Sequence, residues 1–221
     1  HRFGCGLSGH MGDTGWILKN SGREDLMVPG AVPWFHQWMP NTACSQVANE
    51  FGLRGPRLTH SVACASGLVD ILSAVRTIRD DQADIALTGS ADCIQPLFAA
   101  GFDRMKVLAH HDDPKQACRP FDSNRSGFVL GEGGAMFVIE RLSHALERGA
   151  NIYAEILSGR MLAEAHHVTG LDQESEALAR LLSETMREAH LRPEELQYIN
   201  AHGTGTAQND VVESRGIRLA M

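Results

Sequence analysis

The pattern of apolar and polar positions is clearest after residue 56. Residues 56–63 read as a short strand and residues 83–89 as a buried apolar one. Between them Leu68, Ile71, Leu72, Val75 and Ile78 recur at i, i+3, i+4, i+7 and i+10, the spacing of one helix face. Strand, helix and strand with short joins make a βαβ unit. Two more strands are predicted over 134–140 and 152–157, with a helix over 142–148 between them. A long helix is predicted over 174–189, carrying Leu178, Leu181, Leu182 and Met186. After the break at Leu191-Arg192-Pro193 come a short turn at 194–196, a strand at 198–201 and a last helix from about Asp210. Toward the other end, residues 41–51 predict a helix capped by Asn41 or Thr42. The first 45 residues, with turn punctuation at Asn20-Ser21-Gly22 and Val28-Pro29-Gly30, predict loops and short elements. The alternation predicts an α/β layered fold.

Composition agrees with this and removes several function classes. A chain of 221 residues, 43% hydrophobic and 21% charged, suits one large domain or two modest ones, and excludes a collagen, a long coiled coil or a disordered tail. With 20 basic against 27 acidic residues the formal charge is −7, a poor match for nucleic acid or an anionic membrane surface. No apolar run reaches the ~18 residues of a spanning helix, so no membrane span is expected. The five cysteines are odd in number and form no C-x-x-C pair, which predicts reduced thiols and a cytoplasmic setting. Cys5, Cys44, Cys93 and Cys118 are expected to be buried or partly buried. His110-His111-Asp112-Asp113 and His166-His167 are contiguous, so their side chains diverge; solvated loops are expected and no metal site. Gly131, Gly133 and Gly134 lack a phosphate-binding pattern and precede a strand, where they permit tight turns and close packing. Trp16, Trp34 and Trp38 are expected to be packing or dimer-contact residues.

Two short segments carry candidate chemistry. Cys64 lies where the first predicted strand meets the helix, in Ser61-Val62-Ala63-Cys64-Ala65-Ser66-Gly67. A free thiol titrates near ~8.5, and the unpaired N–H groups and aligned dipoles of a helix start favour its thiolate. Small neighbours let a substrate carbonyl approach the sulfur and let backbone N–H groups face a developing oxyanion. A buried small hydrophobe is the alternative reading of Cys64. The second segment is Asn200-Ala201-His202-Gly203-Thr204-Gly205-Thr206, at the end of a predicted strand. Its glycines permit tight turns, its two threonines offer hydroxyls to one groove, and a nucleophilic thiol needs an imidazole partner. A structural histidine is the alternative for His202.

At these segments the sequence resembles the β-ketoacyl synthases, the condensing enzymes of fatty acid and polyketide synthesis. Val62-Ala63-Cys64-Ala65-Ser66-Gly67 resembles the active-site cysteine signature. Arg119-Pro120-Phe121-Asp122 through Gly127-Phe128-Val129-Leu130-Gly131-Glu132-Gly133 resembles the central motif. Asn200 to Thr206, with Asn209, Asp210 and Glu213, resembles the first-histidine motif. The resemblance implies a thiolase-like α/β/α/β/α layered fold, incomplete in this chain, with residues 1–160 most of the N-terminal half and 161–221 the start of the C-terminal half. It implies that Cys64 takes an acyl group from a carrier-protein thioester. A malonyl thioester then decarboxylates and attacks the acyl-enzyme. His202 would assist decarboxylation, and Thr204 and Thr206 would hydrogen-bond the phosphopantetheine arm. His167 would correspond to a histidine that some members place near the pocket. No separate cofactor is implied; the partners are acyl carrier protein, its acyl and malonyl thioesters, and a second subunit in a homodimer. The family's second histidine, in a Lys…Gly-His motif, and its glycine-rich gating loop have no counterpart here. The chain is therefore expected to be an internal segment, with little or no condensation alone. A non-catalytic chain-length partner and an inactive folding segment are the alternatives, and the presence of Cys64 argues against the former.

Overall fold

The apolar runs build a four-stranded mixed sheet in the computed structural model, which describes residues 2–9, 19, 22 and 39–221. Trp16, Trp34 and Trp38 lie outside the described residues, as do the two turn signals apart from Gly22. The chain divides into two units: His1–Phe98 with Gly131–Tyr153, and Ala99–Leu130 with Ala154–Met221.

In the first unit the sheet runs β2 (Arg57–Leu58), β1 (Phe3–Ser8), β3 (Ile85–Asp92), β4 (Gly133–Glu140). The first three strands are parallel, and β4 returns antiparallel to β3 with Ile85 opposite Glu140 and Asp92 opposite Gly133. Helices α1 (Thr42–Glu50) and α2 (Ser66–Arg79) pack against the sheet. Successive side chains of a strand point to opposite faces, and β1 uses both. Cys5 and Leu7 join Cys44, Ala48 and Leu53 in one core cluster. Gly4 and Gly6 face the other way, toward Ala83, Ala86, Thr88 and Asp70. A second cluster on α2 and β3 comprises Ala74, Ile78, Ala83 and Ala86. Gly89 has φ 149° and a Cβ there would stand 2.0 Å from the Ala135 carbonyl oxygen, so only glycine lets β4 close on β3 at this point.

Several expectations are met and several corrected. The helices over 41–51, 142–148 and 174–189 are present as α1, α4 (Leu142–Glu147) and α5 (Glu176–Glu188). Asn41 precedes α1 but its side chain makes no capping bond. The strand expected over 56–63 is laddered only at Arg57–Leu58, because its pairing with β1 ends there and Thr59 turns its hydroxyl to the Leu7 carbonyl. The helix face expected on α2 is displaced. Leu68 is 68% exposed, while Val69, Asp70, Ala74, Thr77 and Ile78 face inward. Asp70 lies against Gly6 of β1, Ala74 and Ile78 cluster with Ala83 and Ala86, and Ile78 is the residue of the expected face that is buried. Residues 152–157 and 198–201 form no ladder among the described residues, and Tyr153 and Tyr198 are exposed. Cys93 and Cys118 are exposed rather than buried, and no disulfide joins any of the five cysteines.

The second unit is mainly helical, with α3 (Pro96–Arg104) shared at its start by the first unit, α5, and α6 (Ala207–Ala220). Helices α5 and α6 meet where Gly216 lies against Ser175 and Leu178. The fully buried Ser175 hydroxyl donates to the Val212 carbonyl at 2.8 Å. Phe102 and Phe128 pack edge to face, 5.1 Å between ring centres.

Candidate active site

The cysteine turn is short and tightly tied at both ends. Residues 61–65 are all exposed, so Cys64 stands at the surface of its unit. A single 3-10 turn, Ala63–Ala65, leads into α2, and Ala63 has φ 49°, a left-handed conformation that a side chain rarely adopts. The buried Ser66 holds this strained corner. Its hydroxyl accepts from the Val62 N–H at 2.9 Å and donates to the Ala63 carbonyl at 2.8 Å. Gly67 lies against β3, where a Cβ would stand 2.5 Å from Ser90 Oγ. The absence of a side chain at 67 thus sets the first turn of α2 directly on the sheet. On the incoming side, His60 Nδ1 donates to Asp70 Oδ1 at 2.6 Å.

The histidine loop belongs to the second unit, with Thr204 and Thr206 brought together and Cys64 in the other unit. The Thr204 and Thr206 hydroxyls are 2.9 Å apart. Thr206 is also the N-cap of α6, its Oγ accepting from the Asn209 N–H. That helix therefore starts at Ala207, earlier than the expected Asp210.

Two carboxylates on the first turns of α6 organise the loop, and neither was expected from the sequence to do more than match a motif. Glu213 accepts from the backbone N–H of His202 at 2.6 Å and of Gly203 at 2.8 Å, and from Asn209 Nδ2 at 3.2 Å. It therefore fixes the backbone under the exposed His202. Asp210, 2% exposed, accepts from the Gly205 N–H at 3.0 Å and from the Phe121 N–H at 2.6 Å. Arg125 lies 3.4 Å from the same carboxylate and donates to the carbonyls of Thr206 and Ala207. Gly205 has φ 74° and sits on the Gly127 carbonyl, 2.6 Å from where its Cβ would be, so a side chain is excluded. The central motif and the histidine motif, far apart in sequence, are thus one hydrogen-bonded object. A pair of acids in the first turns of a helix after a Gly/Thr loop was the available signal, since carboxylates there bind unpaired N–H groups.

His167 Nδ1 accepts from the N–H groups of Thr169 and Gly170, building its own turn. His111 Nδ1 accepts likewise from the Asp113 N–H. Among the described residues there is no group of three or more His, Cys, Asp or Glu able to hold a metal ion, and no helix long and apolar enough to cross a membrane. Gly134 approaches Ala91 closely, as expected, whereas Gly131 and Gly133 face open space. In the first unit Arg148 and His144 pair with Glu140, the guanidinium being the larger influence, and hold its carboxyl down at about 2. Burial pushes the Cys5 thiol up to about 12, helped by a hydrogen bond with Cys44.

Comparison with known proteins accounts for this layout. The family described as "Beta-ketoacyl synthase, N-terminal domain" matches residues 2–145, and "Beta-ketoacyl synthase, C-terminal domain" matches 153–221. The tetracenomycin polyketide synthase ketoacyl synthase alpha subunit of Streptomyces glaucescens is 41% identical over 85% of this chain and 44% of its own length. The 3-oxoacyl-(acyl-carrier-protein) synthase 2 of Coxiella burnetii is 37% identical over 98% of this chain and 53% of its own. The crystal structure of a β-ketoacyl synthase from Burkholderia phymatum superposes with a TM-score of 0.88 at 32% identity, covering 97% of this chain and 53% of that one. The fold is of the thiolase-like α/β class. The chain belongs to the β-ketoacyl synthase family and spans about half the length of the curated relatives it matches.

Proposed function

We propose that this chain carries the acyl-accepting part of an elongating β-ketoacyl synthase acting in fatty acid or polyketide synthesis. The observation that carries the reading is the surface thiol of Cys64 on a strained, small-residue turn at the start of α2. The Cys64 thiolate attacks the carbonyl of an acyl group delivered by acyl carrier protein. The phosphopantetheine thiol leaves, and the acyl group rests on Cys64 as a thioester. A malonyl thioester then loses carbon dioxide, and its carbanion attacks the acyl carbonyl, forming a carbon–carbon bond as the thioester to Cys64 breaks and the Cys64 thiolate leaves. His202, on a backbone fixed by Glu213, stabilises the enolate that develops on decarboxylation. Thr204 and Thr206 present hydroxyls to the phosphopantetheine arm; Thr206 combines this with capping α6. No separate cofactor is needed, since the substrates bring their own thioester.

The same reading divides the chain at residue 160 into most of an N-terminal half and the start of a C-terminal one, and makes the working enzyme a cytoplasmic homodimer. Condensation draws on the second histidine and the gating loop that the resemblance implies, so acylation is the step to test in this chain. Incubation with an acyl-carrier thioester, followed by mass spectrometry, should place an acyl adduct on Cys64 that Cys64→Ala abolishes. Absence of an adduct from a full-length protein containing this chain would refute the assignment.

A further inference from the structure

Beside the nucleophile turn lies a polar group that the reaction does not use. Asp70 on α2 is fully buried, at 0% exposure, and its Oδ2 has no hydrogen-bond partner. Its Oδ1 is held by His60 at 2.6 Å, and the Ser73 hydroxyl lies 3.3 Å from the other ring nitrogen, Nε2. The order Ser73, His60, Asp70 has the connectivity of a hydrolytic triad. Ser73, however, sits in the middle of α2, where the backbone N–H groups are spent within the helix, so no oxyanion donors face it. The cluster is therefore not a second nucleophile.

Its position suggests a different use. His60 precedes the exposed residues 61–65 and Ser66 follows them. Ser66 ties the far end of the turn to itself, through bonds to Val62 and Ala63. His60 ties the near end to the body of α2, ten residues on in sequence. Thr59, one residue earlier, is bonded to β1. Without the His60 bond, the Ser66 corner that carries Cys64 would lose its side-chain tie to the body of α2, and the incoming chain would be held only through Thr59 and the corner itself.

We infer that His60 is a positioning residue for Cys64: its bond to the buried Asp70 holds the turn so that the sulfur stays at the first turn of α2. The inference rests on Cys64 being the nucleophile. Releasing the turn lets the thiol drift from the helix start, whose favourable effect on an anion amounts to about two- to fivefold in thiolate population.

The five cysteines supply the test within one molecule. Cys93 and Cys118 are exposed references, and Cys5 and Cys44 are buried sentinels of folding. Iodoacetamide labelling of the 221-residue chain is followed at each cysteine by mass spectrometry. In His60→Leu the Cys64 rate should fall about two- to fivefold relative to Cys93 and Cys118, with Cys5 and Cys44 still unlabelled. His60→Asn, which can return an N–H to Asp70, should restore most of it. If His60→Leu opens the core and the sentinels react, Ser73→Ala, which leaves Asp70 paired, decides the matter with His60→Asn. A smaller selective fall at Cys64 in Ser73→Ala, with His60→Asn at the parent rate, supports the inference. An unchanged Cys64 ratio in the folded variants, or equal changes at all three exposed thiols, overturns it. Failure of the acyl-carrier reaction in a full-length protein containing this chain would instead sink the nucleophile assignment, and leaves the labelling comparison readable.

Discussion

Replacing Asp210 by Asn probes the hub of the histidine loop with almost no change of shape. One carboxylate oxygen becomes an NH2 group, which cannot accept. Oδ2 takes the Phe121 N–H at 2.6 Å and Oδ1 takes the Gly205 N–H at 3.0 Å, so either orientation of the amide leaves one backbone donor facing another donor. A buried donor left unpaired costs about 1–3 kcal/mol. Arg125, only 16% exposed, loses the charge that balances it, and removing one partner of a buried pair costs about 3–5 kcal/mol. These overlap because the same atoms are involved, so the expected loss is about 3–5 kcal/mol rather than their sum. With a urea slope of about 2–3 kcal/mol per molar, the midpoint should fall by about 1–2.5 M. Hydrogen exchange gives the sharper readout, since the Phe121 and Gly205 amides should lose protection together although they lie on different motifs. A stability loss below about 1 kcal/mol, or loss of protection at one amide only, would show that Asp210 does not join the two motifs.

Two further outcomes are expected. Glu140 is held at about 2 in the folded protein by Arg148 and then His144, against an unfolded value of about 4.3, so its contribution is complete above that value and is lost as pH falls toward 2; acid unfolding of Glu140→Gln should show a shallower pH dependence in that window. Thr206→Ala should cost about 1 kcal/mol through loss of the α6 cap, with Thr206→Ser retaining most of it, as read by urea denaturation.

The parts of this protein that could be read from the sequence are those whose physics is local. Helices α1, α4 and α5 follow from spacing within a few turns, and the cysteine turn follows from small residues between a strand and a helix. Strand β1 escaped because two of its six residues are glycine, which carries no apolar signal; its reason for being a strand lies in β3, some eighty residues away. The inward face of α2 differs from its apolar spacing for a related reason. Apolar spacing points to Leu68 and its neighbours, but the helix meets Gly6 of β1 through Asp70, and Ala83 and Ala86 through Ala74 and Ile78. At the site, Cys64 and the histidine loop stand out as text, whereas the roles of Asp210, Glu213 and Arg125 are fixed by contacts between distant segments and emerge only with the fold.

The register of β1 also bears on how the chain is made. Ser8 leaves the ribosome 77 residues before Ile85, the start of the strand to which β1 is mainly paired. At about 5–20 residues per second that interval is about 4–15 s. Among the described residues only the two-residue β2 can lie beside β1 during it, and the ladder with β3 cannot form. The nascent chain thus carries β1 without its main partner for those seconds, an exposed strand edge of the kind that chaperones meet.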